Sequence, residues 1–289
     1  MKKIDFMCVG VQKAGTSTLH DILQQHPDIN LPNYKETHFF SDTNKYKTGI
    51  EKYFSYYFKD SNASFWGEID PEYSYFKNCA KRIFETFGKI KIIFILRNPV
   101  DRAYSHYLMT KSRCLENFDF NTALIEEDKR LQTHNDNSHY SYIARGKYSE
   151  QIERFEHYFG EENIKVILFE DLIKETENTV DKIITFLNIP AYSFNYSIES
   201  NPASEPKNVW LQDFIYKPNK LKSTVGKLIP IKKVKDKIMF ALAKKNKRVV
   251  QKQVLDIKEK QKIYKTYFKD EIETLEKKLN EDLSHWKYK

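Results

Sequence analysis

An α/β fold is predicted: a central parallel sheet flanked by helices, with a basic helical insertion near the C-terminus. Three observations predict it. There are three short, almost wholly apolar runs, an amphipathic stretch follows each, and a lysine-rich segment lies apart from them late in the chain. Short apolar runs read as strands buried on both faces, and strands alternating with helices imply parallel pairing.

The first run, Ile4–Val11 (IDFMCVGV), ends at a glycine and polar residues, as a buried strand does before a turn. Thr16–Gln25 follows with Leu19, Ile22 and Leu23 on one helical face, and it stops ahead of Pro27. Lys91–Leu96 (KIIFIL) is the second strand, and Pro99–Met109 the next helix, with proline in its first turn. Ile164–Phe169 (IKVILF) is the third, with an amphipathic helix to about Leu187. Ile263, Tyr267, Phe268, Ile272, Leu275 and Leu279 mark one face of a final helix that ends near Trp286.

The 289 residues fit one large domain or two small ones, and the absence of any repeat or linker-like stretch favours one, spanning 1–289. A composition of 40% hydrophobic and 30% charged residues excludes membrane-embedded and disordered classes. Three cysteines, Cys8, Cys79 and Cys114, are too few and too scattered for a disulfide framework or a cysteine zinc site. No apolar run approaches the roughly 20 residues of a membrane span, and the start Met1-Lys2-Lys3-Ile4-Asp5 lacks a signal-peptide pattern. The expectation is a cytoplasmic protein. With 48 Lys+Arg against 40 Asp+Glu, the formal charge of +8 points to anionic partners.

The strongest local signal is Val9-Gly10-Val11-Gln12-Lys13-Ala14-Gly15-Thr16-Ser17-Thr18, a loop between the first strand and the first helix. A helix N-terminus presents backbone N–H groups and the positive dipole end to an anion. Gly10 and Gly15 have the Gly-x4-Gly spacing of a P-loop, but Thr16 stands where a nucleotide hydrolase carries its lysine, and Lys13 lies inside the loop instead. The plain alternative is a strand-to-helix turn capped by a hydroxyl. A second element is Leu96-Arg97-Asn98-Pro99-Val100-Asp101-Arg102-Ala103-Tyr104-Ser105, at the C-terminal end of the second strand. Open parallel sheets bind ligands there, and a guanidinium plus a hydroxyl suits a phosphate monoester. Taken alone, Arg97 fits a surface ion pair equally well.

Together these segments resemble the sulfotransferases that use 3'-phosphoadenosine 5'-phosphosulfate (PAPS). Lys13–Ser17 looks like that family's 5'-phosphosulfate loop, and ILRNPVDRAYS its 3'-phosphate segment. Counterparts also exist for His26-Pro27-Asp28, Lys35-Glu36-Thr37-His38-Phe39-Phe40, Arg145-Gly146-Lys147-Tyr148 and Asp282-Leu283-Ser284-His285-Trp286. The Glu-x-His-Phe-Phe stretch resembles most the carbohydrate branch, which includes the heparan sulfate enzymes. The resemblance implies that Lys13, Ala14, Gly15, Thr16, Ser17 and Thr18 hold the 5'-phosphosulfate, and Arg97 and Ser105 the 3'-phosphate. Tyr148 and Lys207, the latter in Asn201-Pro202-Ala203-Ser204-Glu205-Pro206-Lys207, would lie beside the nucleotide. Glu36 falls on the catalytic base; His38 would orient it or act as the base itself, and Lys13 would stabilise the leaving oxygen. Without the resemblance, Glu36 and His38 read as a solvated loop pair. One departure stands out: the heparan-type enzymes carry Glu-Lys where this chain has Glu68-Ile69, so a cationic contact is missing.

No metal is expected, since the eight histidines and the acids show no ligand spacing. The acceptor implied is a glycan or glycolipid, anionic in keeping with the charge; nucleic acid is not expected. The segment 217–252 holds thirteen basic residues and Asp236 as its one acid. It reads as a solvated face, or as a surface for an anionic glycan or for peripheral contact with the inner membrane leaflet. Three other readings remain open: a P-loop kinase or nucleotidase with magnesium-dependent ATP turnover, a nucleotide or glycan binder without catalysis, and a sulfotransferase of small non-carbohydrate acceptors.

Overall fold

The computed structural model describes residues 3–59, 61–133, 138–197, 204–216, 241–243, 245–251 and 253–288. It divides into two compact units, one comprising Met1–Arg102, Arg145–Ser200 and Ile257–Lys289, the other Ala103–Ala144 and Asn201–Asp256.

The first unit is built on a five-stranded sheet of β1 (Phe6–Gly10), β2 (Ile29–Asn30), β3 (Phe65–Ile69), β4 (Lys91–Leu96) and β5 (Ile164–Leu168). The order is β2-β3-β1-β4-β5 and every pairing is parallel. The three expected strands are β1, β4 and β5. Every residue of β1 is buried, as is β4 after its first residue, which is why both are continuous apolar runs. After β1 the chain runs to β2 at the sheet edge, returns through β3 beside β1, then crosses to β4 on the other side of β1. That reversal puts the C-terminal ends of β1 and β4 next to each other, where open α/β sheets leave a ligand crevice. The Val11 N–H donates to the Ile95 carbonyl at 2.9 Å, so the two chain exits stay joined past the strand ends.

β3 was not marked by its sequence. Its FWGEI run contains a glycine and an acid, both weak strand signals. Packing explains the glycine: Gly67 sits opposite Phe6 in the register, and a Cβ there would lie 2.2 Å from the Phe6 ring.

Helix α1 (Thr16–Leu23) follows β1 and buries Thr16, Leu19, Ile22 and Leu23, the expected stripe. The helix after β4 starts at Pro99 and runs to Ser112; its first turn is capped by Asn98 Oδ1, which accepts from the Val100 N–H at 3.0 Å. Asn98 Nδ2 in turn donates to the carbonyl of buried Trp286 at 3.2 Å. After β5 the single expected helix is two, Phe169–Lys174 and Thr176–Leu187. The final helix is also interrupted: Ile257–Ile263 and Lys269–Leu279 are joined by a π turn over Tyr264–Phe268. Glu271 there accepts from both the backbone N–H and the hydroxyl of Ser149, each at 2.8 Å, which caps the helix Tyr148–Phe159.

The second unit is held by polar anchors. Glu116 takes both Arg130 nitrogens at 2.7 and 2.9 Å and the Tyr142 hydroxyl at 2.8 Å. The Arg130 guanidinium lies over the rings of Phe118 and Tyr140. A short antiparallel pair, β6 (Ser204–Pro206) with β7 (Lys247–Val249), completes it. Most of the lysine-rich segment, 217–240 together with Lys244 and Lys252, lies outside the described residues. Of the remainder, 241–243 is helical and 247–249 is strand, because its backbone finds ladder partners in 204–206.

Candidate active site

The loop after β1 is shaped by two residues with left-handed backbone, Lys13 (φ 73) and Gly15 (φ 84). Glycine adopts this region without strain, and at Gly15 a Cβ would also meet the Phe169 ring at 3.0 Å. Gly15 is the N-cap of α1 and supplies no side-chain cap. Leu19 is the first residue of α1 whose N–H finds a backbone acceptor among the described residues, Gly15 O at 3.2 Å. The N–H groups of Thr16, Ser17 and Thr18 are therefore presented as a helix N-terminus presents them to an anion.

Arg97, one residue past β4, reaches this loop. Its Nη1 donates to the Lys13 carbonyl at 2.9 Å, and its guanidinium lies over the Phe169 ring, 4.8 Å from the centroid. The Tyr148 hydroxyl donates to the Arg97 carbonyl at 2.8 Å, and burial pushes that phenol's pKa well up, so it stays a donor. Backbone and guanidinium are both fixed, and Nη1 to the Lys13 carbonyl is the guanidinium's one hydrogen bond among the described residues. The uncapped helix end and this cation fit a nucleotide with two anionic groups.

The segment Lys35–Phe40 forms the second half. Thr37, Phe39 and Phe40 point inward and are buried, while Lys35, Glu36 and His38 are not. Phe39 and Phe40 pack against Tyr46 and Tyr53. Thr37 is pinned by its hydroxyl, which donates to Glu68 Oε1 at 2.5 Å and lies 2.9 Å from the Tyr73 hydroxyl. Left-handed backbone at Glu36 (φ 65) and His38 (φ 53) turns these two side chains out on either side of the anchored threonine. Such strain concentrates at functional positions. Glu36 is ion-paired with Lys35.

His38 stands against two acids on the segment after β3. Its backbone N–H donates to Asp70 Oδ2 at 2.7 Å. Its Nδ1 lies 3.2 Å from that oxygen and 3.5 Å from Glu72 Oε2, between the two and aligned on neither. Burial alone lowers the imidazole pKa, but the charge of Asp70 at close range, and then those of Glu72 and Glu36, outweigh it and push it up to about 9. Burial would raise the carboxyl of Asp70; the His38 charge and hydrogen bonds from the His38 and Glu72 N–H groups hold it below its ordinary value instead. Glu72 Oε1 accepts from buried Arg145 at 3.2 Å, whose guanidinium lies over the Tyr75 ring. Behind this layer Glu68 is fully buried and takes hydroxyl donors from Thr37, Tyr53 and Tyr73. Burial, then the Asp70 charge, raises it to about 7.

The first unit thus carries Lys13, Ala14, Gly15, Thr16, Ser17, Thr18, Glu36, His38, Arg97 and Tyr148. Ser105 and Lys207 belong to the second unit; Ser105 is half-buried on its helix, and Lys207 is exposed, with its N–H on the Asn246 carbonyl at 2.6 Å. Ile69 is buried in β3, so the position of the family's lysine is an apolar core side chain. Asp70, Glu72, Arg145 and Phe169 were not among the expected site residues. A lone acid or phenylalanine after a strand carries no local signal, and only position in the fold reveals it. Among the described residues no group of three or more His, Cys, Asp or Glu side chains is placed to hold a metal ion.

A fold with a parallel sheet, an uncapped anion loop and an arginine at the switch point belongs to a recognisable class, and comparison identifies which. The sequence profile of the sulfotransferase domain matches residues 3–286, and the chain belongs to that family. It is 30% identical over 224 residues to the mouse bifunctional heparan sulfate N-deacetylase/N-sulfotransferase 4, covering 72% of this chain and 24% of that protein. It is 27% identical over 201 residues to mouse heparan sulfate glucosamine 3-O-sulfotransferase 5, covering 67% and 56%. The chain thus spans about a quarter and about half of these relatives. A solved sulfotransferase from Alicyclobacillus acidocaldarius matches across 99% of both chains with a TM-score of 0.71 and 25% identity.

Proposed function

We propose that this chain transfers a sulfuryl group from PAPS to a hydroxyl or amine of a carbohydrate acceptor. The observation that carries the reading is the hydrogen bond from Arg97 to the Lys13 carbonyl, which fixes a cation beside the anion loop at the sheet's switch point. The α1 end and Lys13 would bind the 5'-phosphosulfate, and Arg97, braced by Tyr148 and Phe169, the 3'-phosphate; Ser105 and Lys207 keep the roles that the family resemblance gives them. PAPS supplies the activated sulfuryl group. Glu36 takes the acceptor's proton as the acceptor oxygen or nitrogen bonds to sulfur and the bridging S–O bond breaks. Lys13 offsets the negative charge that grows on the leaving oxygen. His38, charged at neutral pH, is not the base in this scheme, which leaves that role to Glu36.

Likeness to the heparan sulfate enzymes supports a glycan or glycolipid acceptor, and the formal charge of +8 supports an anionic one. The lysine-rich segment would attract it, or the inner membrane leaflet. Three cysteines too scattered for a disulfide framework, two of them (Cys8 and Cys79) buried, agree with a cytoplasmic setting.

Calorimetry with 3'-phosphoadenosine 5'-phosphate against ATP, paired with radiolabelled sulfate transfer over a glycan and glycolipid panel, tests this reading. The wild type is expected to bind the bisphosphate and not ATP. Lys13→Ala is expected to lose about 10²–10³-fold in rate, and Glu36→Gln about 10²–10⁴-fold with nucleotide affinity kept. A wild-type rate in Lys13→Ala removes its assigned role; bisphosphate binding with no transfer to any acceptor leaves a binder in place of an enzyme.

A further inference from the structure

His38 is surrounded in a way that neither the loop nor the reaction requires. Two carboxylates face one ring nitrogen: Asp70, fully buried, at 3.2 Å and Glu72 at 3.5 Å. Both arrive from the segment that ends β3, and Asp70 also holds the His38 backbone N–H at 2.7 Å, so the oxygen that anchors the main chain is the one that faces the ring. Arg145 braces Glu72 from behind, at 3.2 Å. The other charged groups nearby point elsewhere. Lys35 pairs with Glu36 on the same loop, while Lys45 and Arg82, from neighbouring helices, donate to the carbonyls of Thr37 and Phe40. The ring itself is 36% exposed, and Nε2 has no protein partner among the described residues. One residue before Asp70, Ile69 is a core side chain with no charge to offer.

Resting on the sulfotransferase reading above, we propose that Asp70 and Glu72 are positioning residues that keep His38 doubly protonated, making Nε2–H a fixed cationic donor toward acceptor and sulfuryl oxygens. His38 then supplies the positive charge that position 69 lacks. Asp70, clamped to the loop backbone, sets where that charge sits, and Glu72 with Arg145 keeps the ring from turning away. The direction of the His38 pKa agrees with this geometry.

The test follows the His38 ring by NMR titration in the full-length protein, assigned by the signal lost in His38→Gln. The wild-type ring is expected to stay charged well above neutrality. Asp70→Asn keeps an acceptor for the His38 N–H but removes the charge. It should lower the midpoint by about 1–3 pH units, the effect of one opposite charge at this range. The alkaline limb of the kcat–pH profile should move down with it, while 3'-phosphoadenosine 5'-phosphate affinity stays unchanged. Glu72→Gln should move both in the same direction by less, and serves alone if Asp70→Asn does not fold. A wild-type midpoint near 6.5, or variants that fold and leave it unmoved, overturns the proposal. Loss of nucleotide binding in the wild type with the titration as expected would instead refute the sulfotransferase reading and leave the clamp standing.

Discussion

His38, Glu68 and Asp70 make stability depend on pH in directions that can be worked out one residue at a time. Glu68 has a folded pKa of about 7 because burial, then the Asp70 charge, disfavours its ionised form. The folded state keeps a proton that the unfolded chain releases near pH ~4.3. That contribution is complete below the unfolded value and is lost as pH rises through 7. His38 has the same sign at higher pH, complete below ~6.5 and lost as pH rises through about 9. Asp70 is opposite, its pKa held below the ordinary value, so its contribution is lost on acidification. Calorimetric melting should therefore give a midpoint that falls steadily from mildly acid pH to pH 9, and Glu68→Gln should flatten the lower part of that slope. At this scale the sequence showed Lys13, Glu36 and His38 because each sits in a patterned motif. It did not show Asp70, Glu72 or Arg145, because their meaning lies in distances across three separate segments.

Individual elements were legible where burial leaves a uniform apolar run, as in β1, β4 and β5, and illegible where a strand must also carry chemistry. β3 is the example. Its glycine makes room for the Phe6 ring and its Glu68 underpins the Lys35–Phe40 loop, so neither looks like strand. Gly67→Ala should show how tightly that strand is specified. With a Cβ 2.2 Å from the Phe6 ring, overpacking should destabilise by about 1–3 kcal/mol, read from the denaturant midpoint. A change below the scatter of repeated denaturant curves would mean that the Phe6 ring moves freely. The breaks after Lys174 and at the π turn escaped for a different reason: helical periodicity runs through Phe169–Leu187 and Ile263–Leu279 almost undisturbed, and periodicity alone cannot mark a local change of backbone hydrogen bonding.

Over the whole molecule, the formal charge of +8 is concentrated by sequence in 217–252, where thirteen bases face one acid. Reversing Lys232, Lys233, Lys235 and Lys237 to glutamate should raise the acceptor KM and steepen no nucleotide-binding defect, with added salt mimicking part of the effect in the wild type. Unchanged acceptor kinetics would make the segment a solvated face. The family assignment was readable because ordered motifs are spread across the chain, whereas the acceptor was not, since it is recognised by loop shapes that no motif encodes. The left-handed turns at Lys13, Glu36 and His38 have a consequence for the chain's history. A glycine would relax the main chain at each of them, yet each side chain is one the proposed chemistry requires. Selection for heat tolerance and selection for turnover thus pull on the same three codons in opposite directions, and lineages adapting to higher temperature must find their gains elsewhere in the sheet and helices.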